Sequence, residues 1–234
     1  VVLRPVFLDF GEIRTMKVIF PPRPKSKIHP NDLPYYDSQG KWVVQRKFNG
    51  TRNVIHITPE GELSVYSRYG KAHSPSKFVL QKGFRDEIMS SLNLEKGKEY
   101  WLDSELMNKQ VDSGKEIILY DVLQAGRYLF GSPNQMERLE LLKHICGDPQ
   151  NLEPGGIALQ ISPRLWMAQT WADHFVDRFK EALPNPKLEG LVLRRKDSAI
   201  DNFGDKEYET TNVIRCRKPF AAEKGPGYVA AYDF

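Results

Sequence analysis

From Trp42 onward the chain breaks repeatedly into apolar stretches of strand length that close on turn residues. "KWVVQRKF", "NVIHITPEGELSVYSR", "EYWLDSELM" and "EIILYDVL" are rich in β-branched and aromatic residues, and Pro59-Glu60-Gly61 marks a turn inside the second. "EGLVLRR" and "NVIRCRKPF" add two more strands near the end. Three stretches have helical spacing instead: 75–92, 132–147 and 170–183. In the second, Ser132 is the expected N-cap, Pro133 the first helical residue, and Met136, Leu139, Leu142 and Ile145 form one stripe before Gly147. In the third, Phe175, Phe179 and Leu183 share a face. Strands and helices do not alternate as βαβ units, which argues against a doubly wound parallel sheet. The expected class is α+β, with mixed, largely antiparallel sheets and flanking helices.

A chain of 234 residues suits one sizeable core or two small ones. The expectation is a single domain over 1–234, with 1–41 as an N-terminal arm. That arm holds Pro21, Pro22, Pro24, Pro30 and Pro34 and reads as extended. A hydrophobic share of 40% and a charged share of 27% are ordinary for a globular protein. No apolar run approaches the ~18 residues of a membrane span, so no membrane partner is expected. The net charge of +4 is a mild basic bias, compatible with an anionic partner. Cys146 and Cys216 are not in a C-x-x-C pair and read as reduced thiols, which favours a reducing, cytoplasmic setting.

Chemistry enters with the order of six short stretches. Lys47-Phe48-Asn49-Gly50-Thr51-Arg52 comes first, then Ser67-Arg68-Tyr69-Gly70, then Leu102-Asp103-Ser104-Glu105-Leu106. Tyr120-Asp121-Val122-Leu123, Glu189-Gly190-Leu191-Val192-Leu193-Arg194 and Ile214-Arg215-Cys216-Arg217-Lys218-Pro219 follow. Each alone is weak, since a lysine before Asn-Gly is usually a surface residue in a hairpin. The series resembles the covalent nucleotidyltransferase superfamily of ATP-dependent DNA and RNA ligases and mRNA capping enzymes. The motifs of that family are K-x-D-G, an S-R-x-G-like stretch, D-G-E, an aromatic-Asp pair, E-G-x-V-x-K and K-x-K. The match runs from about Trp42 to Pro219, and "MERLELLKHI" is similar to the helix that ligases place after the aromatic-Asp pair.

The resemblance implies a nucleotidyltransferase fold of ATP-grasp-like type, with ATP and Mg²⁺ (or Mn²⁺) as cofactors. It implies that Lys47 attacks the α-phosphate of ATP and becomes lysyl-AMP. Such a nucleophile must be neutral, and lysine is ordinarily charged at pH 7. Partial burial and the cations Arg52, Arg215, Arg217 and Lys218 are expected to favour the neutral form. Gly50 would allow close approach of the backbone to the nucleotide. By resemblance, Tyr120 stacks on the adenine, Glu105 and Arg68 hold the ribose hydroxyls, and Gln45 reads the purine edge. Glu189 is the expected first metal ligand and Asp103 the second. Arg194, Arg215 and Arg217, or Lys218 in an alternative register, would hold phosphate oxygens.

Several residues depart from the family. Arginines stand where lysines are usual, Asn49 replaces Asp, and Ser104 replaces Gly. Arginine keeps the charge but does not readily give up a proton. Residues 221–234 are too few for the OB domain that most ligases and capping enzymes carry, so a catalytic core of compact viral or phage type is expected. The expected partner is a nick in duplex DNA or an RNA–DNA hybrid, held in part by Arg23, Lys25 and Lys27, and a monomer is expected. An mRNA guanylyltransferase and a non-catalytic nucleic-acid-binding module of the same fold are the alternatives.

Overall fold

A computed structural model describes residues 18–73, 82–107, 116–129, 131–149, 157–200 and 208–219. The last stretch of the sequence, 220–234, and the first part of the helix expected at 75–92 lie outside these. The early strands are β1 (Arg23–Ile28), β2 (Trp42–Phe48), β3 (Thr51–Ile57), β4 (Leu63–Ser67), β5 (Tyr100–Met107), β6 (Glu116–Ala125) and β7 (Arg127–Tyr128). The later ones are β8 (Leu159–Gln160), β9 (Leu165–Met167), β10 (Thr170–Trp171), β11 (Leu188–Arg195) and β12 (Glu209–Arg217). The α-helices are α1 (Leu33–Ser38), α2 (Lys82–Ser91), α3 (Gln135–Ile145) and α4 (Phe175–Ala182).

Two mixed sheets form. One has the order β1-β12-β11-β2-β10 and the other β4-β3-β5-β6-β9-β8, with β7 beside β6. Most pairs are antiparallel; β1 with β12 and β6 with β9 are parallel. The alternation of strand side chains divides each sheet into two faces. In the first sheet Val44, Leu191, Leu193, Ile214 and Cys216 bury against Leu33, Phe175 and Phe179 of α1 and α4. In the second, Ile55, Leu102, Leu106 and Leu119 bury against Phe84, Ile88, Leu142 and Ile145 of α2 and α3. Phe48, Met107, Ile118, Tyr120 and Leu188 join the sheets at their inner faces.

Three expectations are corrected. The proline-rich stretch is not only extended chain: Arg23–Ile28 is the edge strand β1, followed by a 3₁₀ turn and α1. The helix expected over 132–147 starts at Gln135, and its N-cap is Asn134 rather than Ser132. The Asn134 side chain accepts from Met136 and Glu137, and Glu137 accepts from the Asn134 N–H, so a capping box outcompetes the proline start. Its buried face carries Gln135, Arg138, Leu142 and Ile145, not the purely apolar stripe. The helix expected over 170–183 begins only at Phe175, because Thr170 and Trp171 pair with β2 as strand β10.

Candidate active site

The inner faces of the two sheets enclose a cleft of about 420 Å³. Gln45 and Lys47 reach it from β2, Glu189 and Arg194 from β11, Arg215 and Arg217 from β12. Arg52, Glu105 and Tyr120 face them from the second sheet, and Arg68 lies at the mouth after β4. Residues from Pro22 to Arg217, at opposite ends of the described chain, are thus brought together.

Lys47, next to last in β2, lies on the cleft face, and its Nζ donates to Glu189 Oε2 at 2.5 Å. Arg217 Nη2 lies 3.4 Å from the same oxygen. The immediate partner of the lysine is therefore a carboxylate, where the sequence pointed to surrounding cations. Backbone geometry delivers that carboxylate. The register between β11 and β2 slips between Leu188 and Gly190, a bulge at Glu189. Gly190 has φ +133°, and a Cβ there would lie 2.1 Å from the Cys216 carbonyl oxygen. Only glycine fits between β2 and β12 at this point.

Gly50 lines the cleft as expected of a close approach there, and its own sheet adds a second constraint. A Cβ on it would meet the Leu106 carbonyl at 2.5 Å and Glu105 Cγ at 2.7 Å, so it also approaches β5 closely. Its N–H donates to Glu105 Oε1 at 3.0 Å, which aims that carboxylate at the cleft. Burial pushes the Glu105 carboxyl up to about 7, even though Lys47 and Arg52 oppose the shift. Burial, then Glu105 and Asp103, also hold the Tyr120 phenol well above its usual range.

Two of the expected site residues do not reach the cleft. Asp103 is fully buried and is clamped by Arg52, whose Nε and Nη2 donate to its two oxygens at 2.9 and 2.7 Å. That fork–fork pair engages both carboxylate oxygens, and Asp103 does not line the cleft where a metal was expected. Burial alone would lower the Arg52 pKa, but Asp103 outweighs it and the net shift is upward. Lys218 points away from the cleft. Its Nζ donates to the carbonyls of Ala182, Leu183 and Asn185 at 2.9, 3.2 and 2.8 Å, closing the C-terminal end of α4. Arg215 and Arg217 are the members of that basic motif in register with the cleft.

Gln45 lines the cleft but is fully buried and committed. Its amide donates to the Tyr120 carbonyl at 3.3 Å and Thr170 Oγ1 at 3.1 Å, and accepts from Arg194 Nε at 2.8 Å. Both donor hydrogens expected to read a purine are engaged within the protein. Arg194 is similarly tied, 3.3 Å from Asp121 and 3.7 Å from Asp103. Asp121 in turn takes Nε and Nη2 of Arg138 from α3 at 3.0 and 3.2 Å. Arg138, Asp121, Arg194, Asp103 and Arg52 thus alternate in charge beneath the cleft. Arg138 was not singled out in the sequence, since a lone arginine on an amphipathic helix normally reads as solvated. The aromatic in the polar turn Ser67-Arg68-Tyr69-Gly70 was the overlooked signal at the mouth.

Cys146 and Cys216 are free and buried, and burial raises both thiols to about 12, so neither serves as a nucleophile. Among the described residues no helix is long and apolar enough to cross a membrane.

No protein-family model matches the sequence, and no curated protein matches it. Solved structures match the fold. Pmar-Lig is similar at a TM-score of 0.55 and 14% identity, over 86% of this chain and 47% of that one. A mycobacterial DNA ligase D complexed with ATP is similar at 0.51 and 17%, over 75% and 54%. The ATP-dependent DNA ligase of bacteriophage T7 complexed with ATP is similar at 0.53 and 14%, over 84% and 68%. The chain spans about half the length of the first two. Its fold is that of the nucleotidyltransferase domain of ATP-dependent DNA ligases.

Proposed function

We propose that the protein is an ATP-dependent polynucleotide ligase that seals 5′-phosphate/3′-hydroxyl nicks in duplex DNA or an RNA–DNA hybrid through a lysyl-AMP intermediate. The observation that carries this reading is the Lys47–Glu189 contact inside a cleft lined by Arg52, Arg68, Arg215 and Arg217. In the first step Lys47 Nζ bonds to the α-phosphorus of ATP and the bond to pyrophosphate breaks. The ammonium proton passes to Glu189 Oε2, already in hydrogen-bond contact. In the second, an oxygen of a 5′-phosphate attacks the AMP phosphorus, and Lys47 leaves and regains its proton. In the third, a 3′-hydroxyl attacks that 5′-phosphate and AMP departs. Arg215 and Arg217 stabilise charge on the transferring phosphate, and the ring of Tyr120 offers the purine a flat surface.

The residues present fit a Mg²⁺ (or Mn²⁺) held largely by substrate. Among the described residues no cluster of three ligating side chains exists, but Glu189 lines the cleft. One carboxylate with phosphate oxygens and waters suits Mg²⁺, which seldom sits in an all-protein cage. When bound, the ion supplies charge neutralisation at the α-phosphate.

Incubation with Mg²⁺ and α-labelled ATP or GTP, followed by a denaturing gel, tests the reading. Label from ATP on the wild type, lost in Lys47→Ala, is the expected result. Label from GTP alone identifies a guanylyltransferase, and no label from either identifies a binding module. Sealing of nicked duplexes with DNA or RNA flanking the nick then defines the acceptor.

A further inference from the structure

The basic residues do not stop at the cleft. β1 lies parallel beside β12, with Lys27 opposite Arg215 and Ile28 opposite Cys216. Ile28 and Cys216 pack toward α1 and α4, so Lys27 and Arg215 project on the other face, the one that forms the cleft. Lys25 is exposed on the same strand, at the register irregularity between Pro24 and Ser26, and Arg23 lines the cleft itself. Lys25 and Lys27 are exposed, and neither has an ionic partner among the described residues. Two cations facing each other across a strand pair repel. Among the described residues no carboxylate relieves Lys27 and Arg215, and an anion supplied from outside would do so.

A second feature stands at the mouth of the same cleft. Tyr69 is 65% exposed, yet it lines the cleft. Its turn is rigidly built. Ser67 Oγ accepts from the Tyr69 and Lys71 N–H groups at 3.4 and 3.3 Å, and the Gly70 N–H donates to the Ser67 carbonyl at 2.9 Å. Gly70 has φ +72°, and a Cβ there would come within 2.8 Å of the Phe20 ring, so the turn rests directly on a buried aromatic. The Arg68 guanidinium covers the Tyr69 ring at 4.6 Å from its centroid. A large apolar ring held at a basic mouth, away from any core, has the form of a stacking platform.

We propose that the β1 edge and the Tyr69 turn form a docking track for the acceptor polynucleotide, with Lys25, Lys27 and Arg215 on successive backbone phosphates and Tyr69 stacked on a base at the strand end. This extends the function proposed above to the surface that holds its second substrate. Lysines on an edge strand also discourage pairing with another chain. Lys27 facing Arg215, with Arg23 at the cleft on the same strand, is what selects a polyanion.

The two halves of the track have different thermodynamic signatures. Each phosphate contact releases counterions, so each contributes about 0.9 to the slope of log affinity against log salt on a duplex. A stacked ring releases none.

The test measures fluorescence anisotropy of labelled nicked DNA duplex and nicked RNA–DNA hybrid from 50 to 300 mM salt. Lys25→Ala/Lys27→Ala should lower the slope by about 1.8 on whichever nick binds, while ATP labelling of Lys47 is unchanged. Tyr69→Ala should weaken binding about tenfold with the slope intact, and Tyr69→Trp should restore it with quenching of the new indole on binding. An unchanged slope in the double variant on both nicks, or unchanged affinity in Tyr69→Ala, overturns the track. If the wild type labels with ATP but binds neither nick, the track fails while nucleotidyl transfer stands. If it binds with the expected slopes but never labels, the track stands and the proposed reaction fails.

Discussion

At the scale of the residue, the cleft is governed by where carboxylates sit relative to cations. Glu105 is the most perturbed of those that face it, and its value of about 7 follows from burial that Lys47 and Arg52 only partly offset. An unfolded glutamate titrates near 4.5. The folded state therefore holds the proton more tightly, and the stability this provides is complete below pH 4.5 and is lost as pH rises through 7. Glu105→Gln keeps an acceptor for the Gly50 N–H and removes the titration. Urea unfolding from pH 4 to 8 should show the variant gaining on wild type by on the order of 3 kcal/mol across that window. A parallel offset at every pH would refute the assignment. Gly190 is the other decisive residue. Gly190→Ala adds backbone strain at φ +133° and a contact of 2.1 Å with β12. A loss of about 2–5 kcal/mol in thermal or urea unfolding is expected.

Among the elements, α3 does more than cover the second sheet. Its Arg138 is only 1% exposed and anchors the helix to Asp121, with further bonds to the Pro133 and Ser198 carbonyls. Asp121 also braces Arg194, so one helix side chain fixes part of the cleft floor from behind. Arg138→Leu removes two bonds and a charge partner from the buried Asp121 carboxylate, leaving it Arg194, the Gln135 amide and the Val122 N–H. It should cost about 3–5 kcal/mol, read by urea unfolding, where a surface arginine would cost within about 0.5 kcal/mol. β11 shows the same economy of position. Leu191 and Leu193 hold the strand on its helices, while Val192 and Arg194 face the cleft and the bulge turns Glu189 toward Lys47.

For the molecule as a whole, two sheets present their inner faces to a common cleft, and the cations on those faces exceed what the local carboxylates neutralise. A net charge of +4 is modest, so its concentration at the cleft and along β1 matters more than its total. Nick sealing should fall steeply above about 0.2 M salt, and activity that is flat from 0.05 to 0.3 M would contradict phosphate-dominated binding. The α+β class and most strands followed from local pattern, because a period of two and bounding turns are written along the chain itself. Short strands such as β8, β9 and β10 did not, since two or three residues carry no period and exist as strands only through the neighbours they pair with. The six motifs likewise named most of the residues that line the cleft, though not Pro22, Arg23, Pro24, Gln45 or Val213. What only the folded chain decided was the partner of each charge: that Lys47 meets Glu189, that Arg52 takes Asp103 out of the cleft, and that Lys218 closes α4 instead of holding phosphate. The physical reason is that alternation tells which way a side chain leaves its strand, whereas the pairing of charges depends on register, bulges and sheet-to-sheet distance, which form only when distant strands come together.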